Sequence, residues 1–309
     1  MIKGCFVFQM CCIFDGSFGE RCWNSFFTFE KCCSLSMDSD NQLHFPYWHS
    51  KEVLVKLREP FAQAVSAEGL LRIYQEIPEN EWQIYQPERV PLVLWESGYL
   101  MMRWMEARAA SKTFSDQRVL ELGAGIGLAA IFASLAGASV VATDASNQAV
   151  QLIRKNIQAN LGDSGRITAL RLDWTQIVNP SLDPSSRKER ARQKLAEAGV
   201  SGHFDIVVCA ALGYVPISTF HALLGILDLT TDQKTTVLWG AGKEATIHLN
   251  NLKLLNQSFK HDQKAVELAK AFKVSKELGE DRPPHLNLFE LRRRASWREA
   301  PVFQDEYRS

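Results

Sequence analysis

Residues 119–128 read Val-Leu-Glu-Leu-Gly-Ala-Gly-Ile-Gly-Leu. The apolar residues before Gly123 predict the end of a β-strand, and those after Gly127 predict the start of a helix. The three glycines permit a tight turn and a close approach of the backbone to a ligand. In an open α/β sheet, a unit of strand, glycine turn and helix lies at the carboxyl ends of the strands, where nucleotide-like ligands bind.

Alternating apolar segments on both sides of this loop predict the rest of the fold. Strands are expected at 118–122, 139–143, 167–172, 205–209, 235–239 and 285–293. Helices are expected at 126–136, 147–161 and 219–227, with an apolar helix face between 90 and 108. Helix-like apolar spacing also occurs at 50–75, and the polar segments 179–202 and 243–280 are expected to be loops or exposed, mixed-charge helices. This alternation predicts an α/β fold, a doubly wound and mostly parallel sheet with helices on both faces.

The composition narrows the class of protein. The 309 residues include 35 Lys or Arg and 35 Asp or Glu, so the formal net charge is zero, and 46% of the residues are hydrophobic. These values exclude a wholly disordered chain, a coiled-coil rod and a strongly basic nucleic-acid binder, and no nucleic-acid partner is expected. The histidines and cysteines show no metal-ligand spacing, so no metal site is predicted either.

One uncharged stretch, 122–143, is long enough to cross a bilayer. Four glycines interrupt it, and its end reads as a β-strand, so a membrane span is rejected. Because no other export or anchoring segment stands out, the chain is expected to be cytoplasmic.

The first 36 residues differ from the rest, because they hold six of the seven cysteines. The hypothesis that follows is a poorly ordered extension over 1–36 that is not native, with Met37 as the natural start. The predicted organisation continues with an N-terminal helical extension over 37–89, a ligand-binding domain over 90–300 and a tail over 301–309.

The glycine spacing discriminates between cofactors. A dinucleotide fingerprint needs its third glycine at 128, where Leu128 stands, so a nicotinamide-dependent oxidoreductase is disfavoured. The loop instead resembles motif I of S-adenosylmethionine-dependent methyltransferases. With Asp144 at the end of the next strand, Trp95 before the loop and the segments 172–174 and 204–214 after it, the set resembles the methyltransferase-16 family of protein-lysine methyltransferases. The resemblance implies a seven-stranded, Rossmann-like class I methyltransferase domain with S-adenosyl-L-methionine as its cofactor.

The same resemblance implies which residues form the site. Ten residues are expected at the cofactor, namely Trp95, Glu121, Gly123, Ala124, Gly125, Gly127, Asp144, Asp173, Trp174 and Ala210. Asp144 would bind the ribose, Trp174 would flank the adenine, and Tyr214 would shape the channel for the substrate as the catalytic residue. The alternatives are structural: the two tryptophans as core aromatics, Glu121 as a helix cap and Asp173 as a turn acceptor.

One position departs from the family pattern. The family carries an aspartate three residues before the tyrosine that matches Tyr214, and this chain has Ala211 there. A protein substrate that presents a lysine is expected, with the enzyme as a monomer. A weakened or inactive cofactor-binding relative and a small-molecule methyltransferase remain as alternatives.

Overall fold

The computed structural model describes residues 50–79, 83–84, 86–111, 114–163, 166–178, 184–213, 215–242, 263–278 and 286–304. The hypotheses on residues 1–36 therefore lie outside the described residues. The nine strands are β1 (Glu52–Lys56), β2 (Leu70–Tyr74), β3 (Arg118–Leu122), β4 (Ser139–Asp144), β5 (Ile167–Arg171), β6 (Ile206–Ala210), β7 (Thr236–Gly242), β8 (Phe272–Leu278) and β9 (Leu286–Arg293).

The α-helices alternate with the strands of the main sheet. They are α1 (Ala62–Val65), α2 (Glu96–Ser111), α3 (Leu128–Leu135), α4 (Asn147–Leu161), α5 (Trp174–Ile177), α6 (Pro184–Glu197), α7 (Ile217–Thr230) and α8 (Gln263–Ala271). Each helix expected between two strands is present, and the bounds differ from the expected ones by a few residues. No helix within these described ranges is both long and apolar enough to cross a membrane.

Seven strands form the main sheet, in the order β5-β4-β3-β6-β7-β9-β8. Neighbouring strands from β5 to β7 pair in parallel, whereas β9 is antiparallel to both of its neighbours. The predicted seven-stranded, mostly parallel and doubly wound sheet is thus confirmed. The chain order reverses between β3 and β6, and the crevice at such a reversal is where open α/β sheets bind ligands.

Two apolar clusters cover the two faces of this sheet. One joins α6 and α7 to it, and the other joins α2, α3, α4 and the β1–β2 pair to the opposite face. Side chains of β3 enter both clusters, because Leu120 belongs to the first and Val119 to the second. Alternate residues of a strand face opposite sides, so a central parallel strand must be apolar on both.

The expected N-terminal helical extension is wrong for the residues that the structure describes there. β1 and β2 form an antiparallel pair, and only the short α1 between them is helical. Val53 and Leu57 stand four residues apart, as in a helix, but Val55 between them is also buried. Burial of every second residue indicates a strand. The apolar residues of this segment are compatible with both the helical period and the strand period.

The seventh strand of the main sheet was expected from the resemblance, but the sequence analysis did not locate it. Residues 243–280 were expected to be a loop or exposed, mixed-charge helix; of the described residues 263–278, α8 is helical and β8 follows it directly as an edge strand. The expected tail from 301 also differs, because Val302 and Phe303 are buried in the core. Both segments pack through long-range contacts that local composition does not encode.

Candidate functional site

The glycine loop joins β3 to α3 and crosses the edge of the sheet beside β4. Gly123, Gly125 and Gly127 have positive φ angles of 63°, 56° and 82°. Residues with a Cβ rarely adopt this left-handed backbone conformation, so the loop needs glycine at these three positions. The N–H of Ala124 donates to the carbonyl of Thr143 at 2.8 Å, which fastens the loop to the end of β4.

Asp144 holds the loop from the carboxyl end of β4. The N–H of Gly125 donates to its Oδ2 at 3.0 Å, and the N–H of Ser146 donates to its Oδ1 at 2.9 Å. Burial raises the pKa of Asp144 above its ordinary value, although these backbone donors act in the opposite direction. A carboxylate has about four lone-pair directions, so acceptor capacity remains for a ligand with hydroxyl groups.

Glu121 is buried in β3, directly before the loop, and its carboxyl group faces α3. Its Oε2 accepts from the N–H of Ala130 in the first turn of α3 at 2.8 Å, and the residue is 3% exposed. Burial raises the pKa of Glu121 to about 8, and the nearby charge of Asp144 acts in the same direction. Glu121 therefore orients the helix that follows the loop, as in the capping alternative.

The face of Gly123 is closed by two side chains, one from the start of α5 and one from the loop after β6. A Cβ at Gly123 would lie 2.6 Å from Leu212 Cδ2 and 3.7 Å from Trp174 Cη2. Within the described ranges, the buried Nε1 of Trp174 has no hydrogen-bond partner. A buried N–H without an acceptor is rare in a folded protein, so a ligand that offers an acceptor here would satisfy it.

Trp95 acts on the loop through its neighbours. Its indole N–H donates to the carbonyl of Val90 at 2.6 Å and so fixes the 3₁₀ turn Val90–Leu92. In that turn, the carbonyl oxygen of Pro91 would lie 3.3 Å from a Cβ at Gly125. Trp95 thus supports the wall of the loop, and its proximity to a cofactor stays a prediction.

Three predicted site residues remain, and the structure describes two of them. Asp173 caps α5, because its Oδ1 accepts from the N–H and the hydroxyl of Thr175 at 3.1 and 2.7 Å. Its turn-acceptor role is thus present, and its part in cofactor binding stays a prediction. Ala210 ends β6 at the crevice, half-buried. Tyr214 lies outside the described residues.

Ala211 adopts an unusual backbone conformation. Its φ is +56°, and its N–H donates to the carbonyl of Gly240 at 2.8 Å. Among residues with side chains, aspartate and asparagine enter this left-handed region most readily. The backbone at 211 therefore suits the aspartate that the family carries better than it suits alanine.

Two residues at this site were missed by sequence reasoning. Leu212, two residues after β6, packs against Gly123 of the loop, and Asn156 of α4 donates to the carbonyl of Ile126 at 2.9 Å. A polar residue on the buried face of an amphipathic helix is a signal that could have revealed Asn156. Nothing local distinguishes Leu212 from an ordinary core leucine.

Comparison with protein families agrees with this geometry. Residues 80–188 match the model of the Methyltransf_16 family, described as lysine methyltransferase. The family resemblance is confirmed over these residues. The matched methyltransferase-16 region contains Trp95, the glycine loop, Asp144 and Trp174, whereas β6, Ala211 and the end of the sheet lie beyond it.

Individual relatives extend the match at low identity. The protein N-lysine methyltransferase METTL21A of zebrafish (Danio rerio) is 27% identical over 187 residues, covering 60% of this chain and 72% of that protein. METTL21A of mouse is 26% identical, covering 69% and 86%. For the mouse protein-lysine methyltransferase METTL21E, which is 28% identical, the match covers 47% of this chain and 54% of that protein. The chain thus spans about half the length of some of the curated relatives that it matches.

Among solved structures, magnesium protoporphyrin IX methyltransferase from Synechocystis PCC 6803, with bound SAH, is 16% identical. The match covers 68% of this chain and 87% of that one, with a TM-score of 0.43.

The side chains at the loop suit S-adenosylmethionine, the cofactor that the methyltransferase-16 match indicates. Asp144 offers acceptors for ribose hydroxyls, and the indole ring of Trp174 lies beside Gly123 with its N–H free, among the described residues, to donate to a ligand. The loop glycines let the backbone pack closely against its surroundings, because a Cβ at Gly123 would meet Leu212 and one at Gly125 would meet the carbonyl of Pro91. Asp144 ends β4 and Trp174 follows β5, and these two strands are neighbours in the sheet. A nucleoside bound at this edge would contact both residues.

Proposed function

We propose that this protein is an S-adenosylmethionine-dependent methyltransferase that methylates lysine side chains of a protein. The observation that carries the proposal is the bond from Gly125 to Asp144, which sets the glycine loop beside a ribose acceptor inside the methyltransferase-16 region. The description of the family and the names of the METTL21 relatives support a protein lysine as the acceptor.

The chemistry places simple demands on the residues of the site. Bound S-adenosylmethionine supplies a methyl carbon activated by its sulfonium. The amine of lysine must meet that carbon in line and in its neutral form, so the protein has to orient the amine and accept its proton. Leu212, whose side chain lies over Gly123, is placed to shape the approach of the amine.

Two measurements on the wild-type protein test the proposal. Calorimetric titration should show binding of S-adenosylmethionine, with NADH as the control that should not bind. Transfer of a labelled methyl group into a cell lysate should then label a protein band, with lysine as the modified residue. Absence of cofactor binding would overturn the proposal, and label only in small molecules would replace the lysine acceptor.

Removal of the Asp144 carboxylate should weaken cofactor binding. We expect Asp144→Asn to raise the dissociation constant of S-adenosylmethionine about tenfold to a hundredfold, because charge-assisted hydrogen bonds to the ribose are lost. Because burial raises the pKa of Asp144, the wild-type affinity should also fall on acidification at a higher pH than an ordinary aspartate would give. Titration calorimetry over a pH series, with the exposed Glu189→Gln as control, measures both effects. Equal affinities for the two variants would contradict the assignment.

Ala211 supports a second candidate, a relative that binds the cofactor but methylates slowly or not at all. The left-handed backbone at 211 suits an aspartate, yet this chain has no carboxylate there. A carboxylate that orients a lysine contributes about 1.5–3 kcal/mol, or one to two decades in rate. Tight cofactor binding without any labelled protein would favour this candidate.

Restoring the carboxylate separates the two candidates. We expect Ala211→Asp to fold as well as the wild type, because aspartate tolerates the left-handed conformation. Its rate of methyl transfer to protein should rise about tenfold to a hundredfold. Ala211→Gly frees the same backbone without adding a carboxylate, so a rise in both variants would assign the gain to the backbone instead. A wild-type rate that equals that of Ala211→Asp would show that another group already orients the amine.

We further propose that the enzyme acts as a monomer in the cytoplasm, without a membrane or nucleic-acid partner. The zero formal net charge supports this proposal, because it gives no long-range attraction to polyanions. Subcellular fractionation and light scattering of the purified protein test it.

A further inference from the structure

Two asparagines on one face of α4 bond to the outer edge of β2. Asn160 accepts from the N–H of Arg72 and donates to its carbonyl, both at 2.7 Å. Asn156 accepts from the N–H of Tyr74 at 2.7 Å and donates to its carbonyl at 3.0 Å. The spacing between residues four apart on the helix thus matches the spacing between residues two apart on the strand. The two side-chain amides make the hydrogen bonds to β2 that a neighbouring strand would make.

The two asparagines differ in one contact. The Nδ2 of Asn156 also donates to the carbonyl of Ile126 in the glycine loop at 2.9 Å, whereas that of Asn160 donates to the carbonyl of Asn156 at 2.7 Å. Asn156 is fully buried. One amide group therefore joins the N-terminal strand pair, α4 and the glycine loop.

The contact at Ile126 completes a set of three along the loop. The preceding residue, Gly125, donates to Asp144, and a Cβ at the following residue, Gly127, would lie 3.0 Å from Ile153 of α4. Three successive loop residues are thus held by α4 and by the strand end that leads into it. A loop fixed in this way loses little conformational entropy when a ligand binds, and such preorganisation increases affinity.

We infer that Asn156 is a positioning residue that fixes the glycine loop for S-adenosylmethionine and couples cofactor binding to the β1–β2 pair. The inference rests on the proposed function, because it takes S-adenosylmethionine as the ligand of the loop. Asn160 gives a matched control, since it makes the same pair of bonds to β2 and none to the loop among the described residues.

The test compares Asn156→Ala with Asn160→Ala by titration calorimetry and thermal unfolding. We expect both variants to lower Tm, because each removes two bonds to β2. Only Asn156→Ala should weaken binding of S-adenosylmethionine, by about three- to tenfold, the effect of one lost hydrogen bond on preorganisation. Equal affinities of the two variants, with the wild type binding normally, would overturn the coupling and leave the proposed function intact. A wild type that binds no S-adenosylmethionine would overturn both.

Hydrogen exchange on the wild-type protein tests the same coupling without a substitution. Because coupling between sites is reciprocal, saturating S-adenosylmethionine should slow exchange of the Tyr74 amide, whose acceptor is Asn156. The Arg72 amide, whose acceptor is Asn160, should change less. Protection that is unchanged at Tyr74, despite measured cofactor binding, would refute the inference even if Asn156→Ala fails to fold.

Discussion

Glu121→Gln should remove a large pH dependence of stability between pH 4.5 and about 8, the ordinary and the folded pKa of Glu121. Because the folded pKa is raised, the folded state holds a proton that the unfolded state has lost throughout this window. The wild type should therefore lose stability as the pH rises through it, by on the order of 5 kcal/mol in total. Glutamine stays neutral and keeps an acceptor for the N–H of Ala130.

Urea unfolding at pH 5, 7 and 9 measures this difference. The two proteins should be similarly stable at pH 5, and Glu121→Gln should be much the more stable at pH 9. Glu189→Gln, which changes an exposed acid, serves as the control and should parallel the wild type. Parallel curves for Glu121→Gln and the wild type would mean that Glu121 ionises normally in the fold.

Loss of the Asp228 carboxylate should destabilise the protein by about 3–5 kcal/mol, because the partly buried cations Arg293 and Lys188 would lose the buried anion that they share. The Asp228 side chain on α7 is fully buried. Arg293 at the end of β9 donates to its Oδ1, and Lys188 Nζ on α6 lies 2.8 Å from its Oδ2 as an ion pair without hydrogen-bond geometry. The cluster therefore joins three elements that are distant in sequence.

The measurement is the free energy of unfolding in urea for Asp228→Ala. Glu189→Ala is the matched control, since Glu189 pairs with Arg192 on the surface of α6 with 73% of its side chain exposed. Exposed pairs contribute little, so this control should change stability by less than about 1 kcal/mol. A similarly small effect of Asp228→Ala would show that the other contacts of these cations, Glu299 for Lys188 and the Thr231 carbonyl for Arg293, are sufficient.

The sequence determined the central fold because its signals are local there. Apolar runs occur around residues 119–128 and 139–144, with glycines between them. This pattern permits one arrangement, in which a unit of strand, turn and helix is repeated. Ser146 caps α4, since its hydroxyl accepts from the N–H of Ala149 at 3.2 Å. Asp144 was expected at the carboxyl end of β4, because a parallel sheet brings successive strand ends to one edge.

The N-terminal strands and the last edge strand could not be predicted in this way. Val53 and Leu57 fit a helical and an extended period equally, and the choice depends on packing against α4 and α2. β8 forms only because β9 offers its edge. Burial of each segment is decided by partners that lie far away in the chain.

At the site, the sequence by itself determined the glycine loop and the position of Asp144. Both follow from local patterns, a glycine-rich turn after one strand and an acid at the end of the next. Tertiary structure alone decided that Glu121 faces α3, that Leu212 and Trp174 close over Gly123, and that Asn156 bonds to the loop. Glu121 and Ala130 stand nine positions apart, and the other contacts join residues tens of positions apart. The pKa of a carboxyl and the strength of a side-chain hydrogen bond depend on the solvent that such packing excludes.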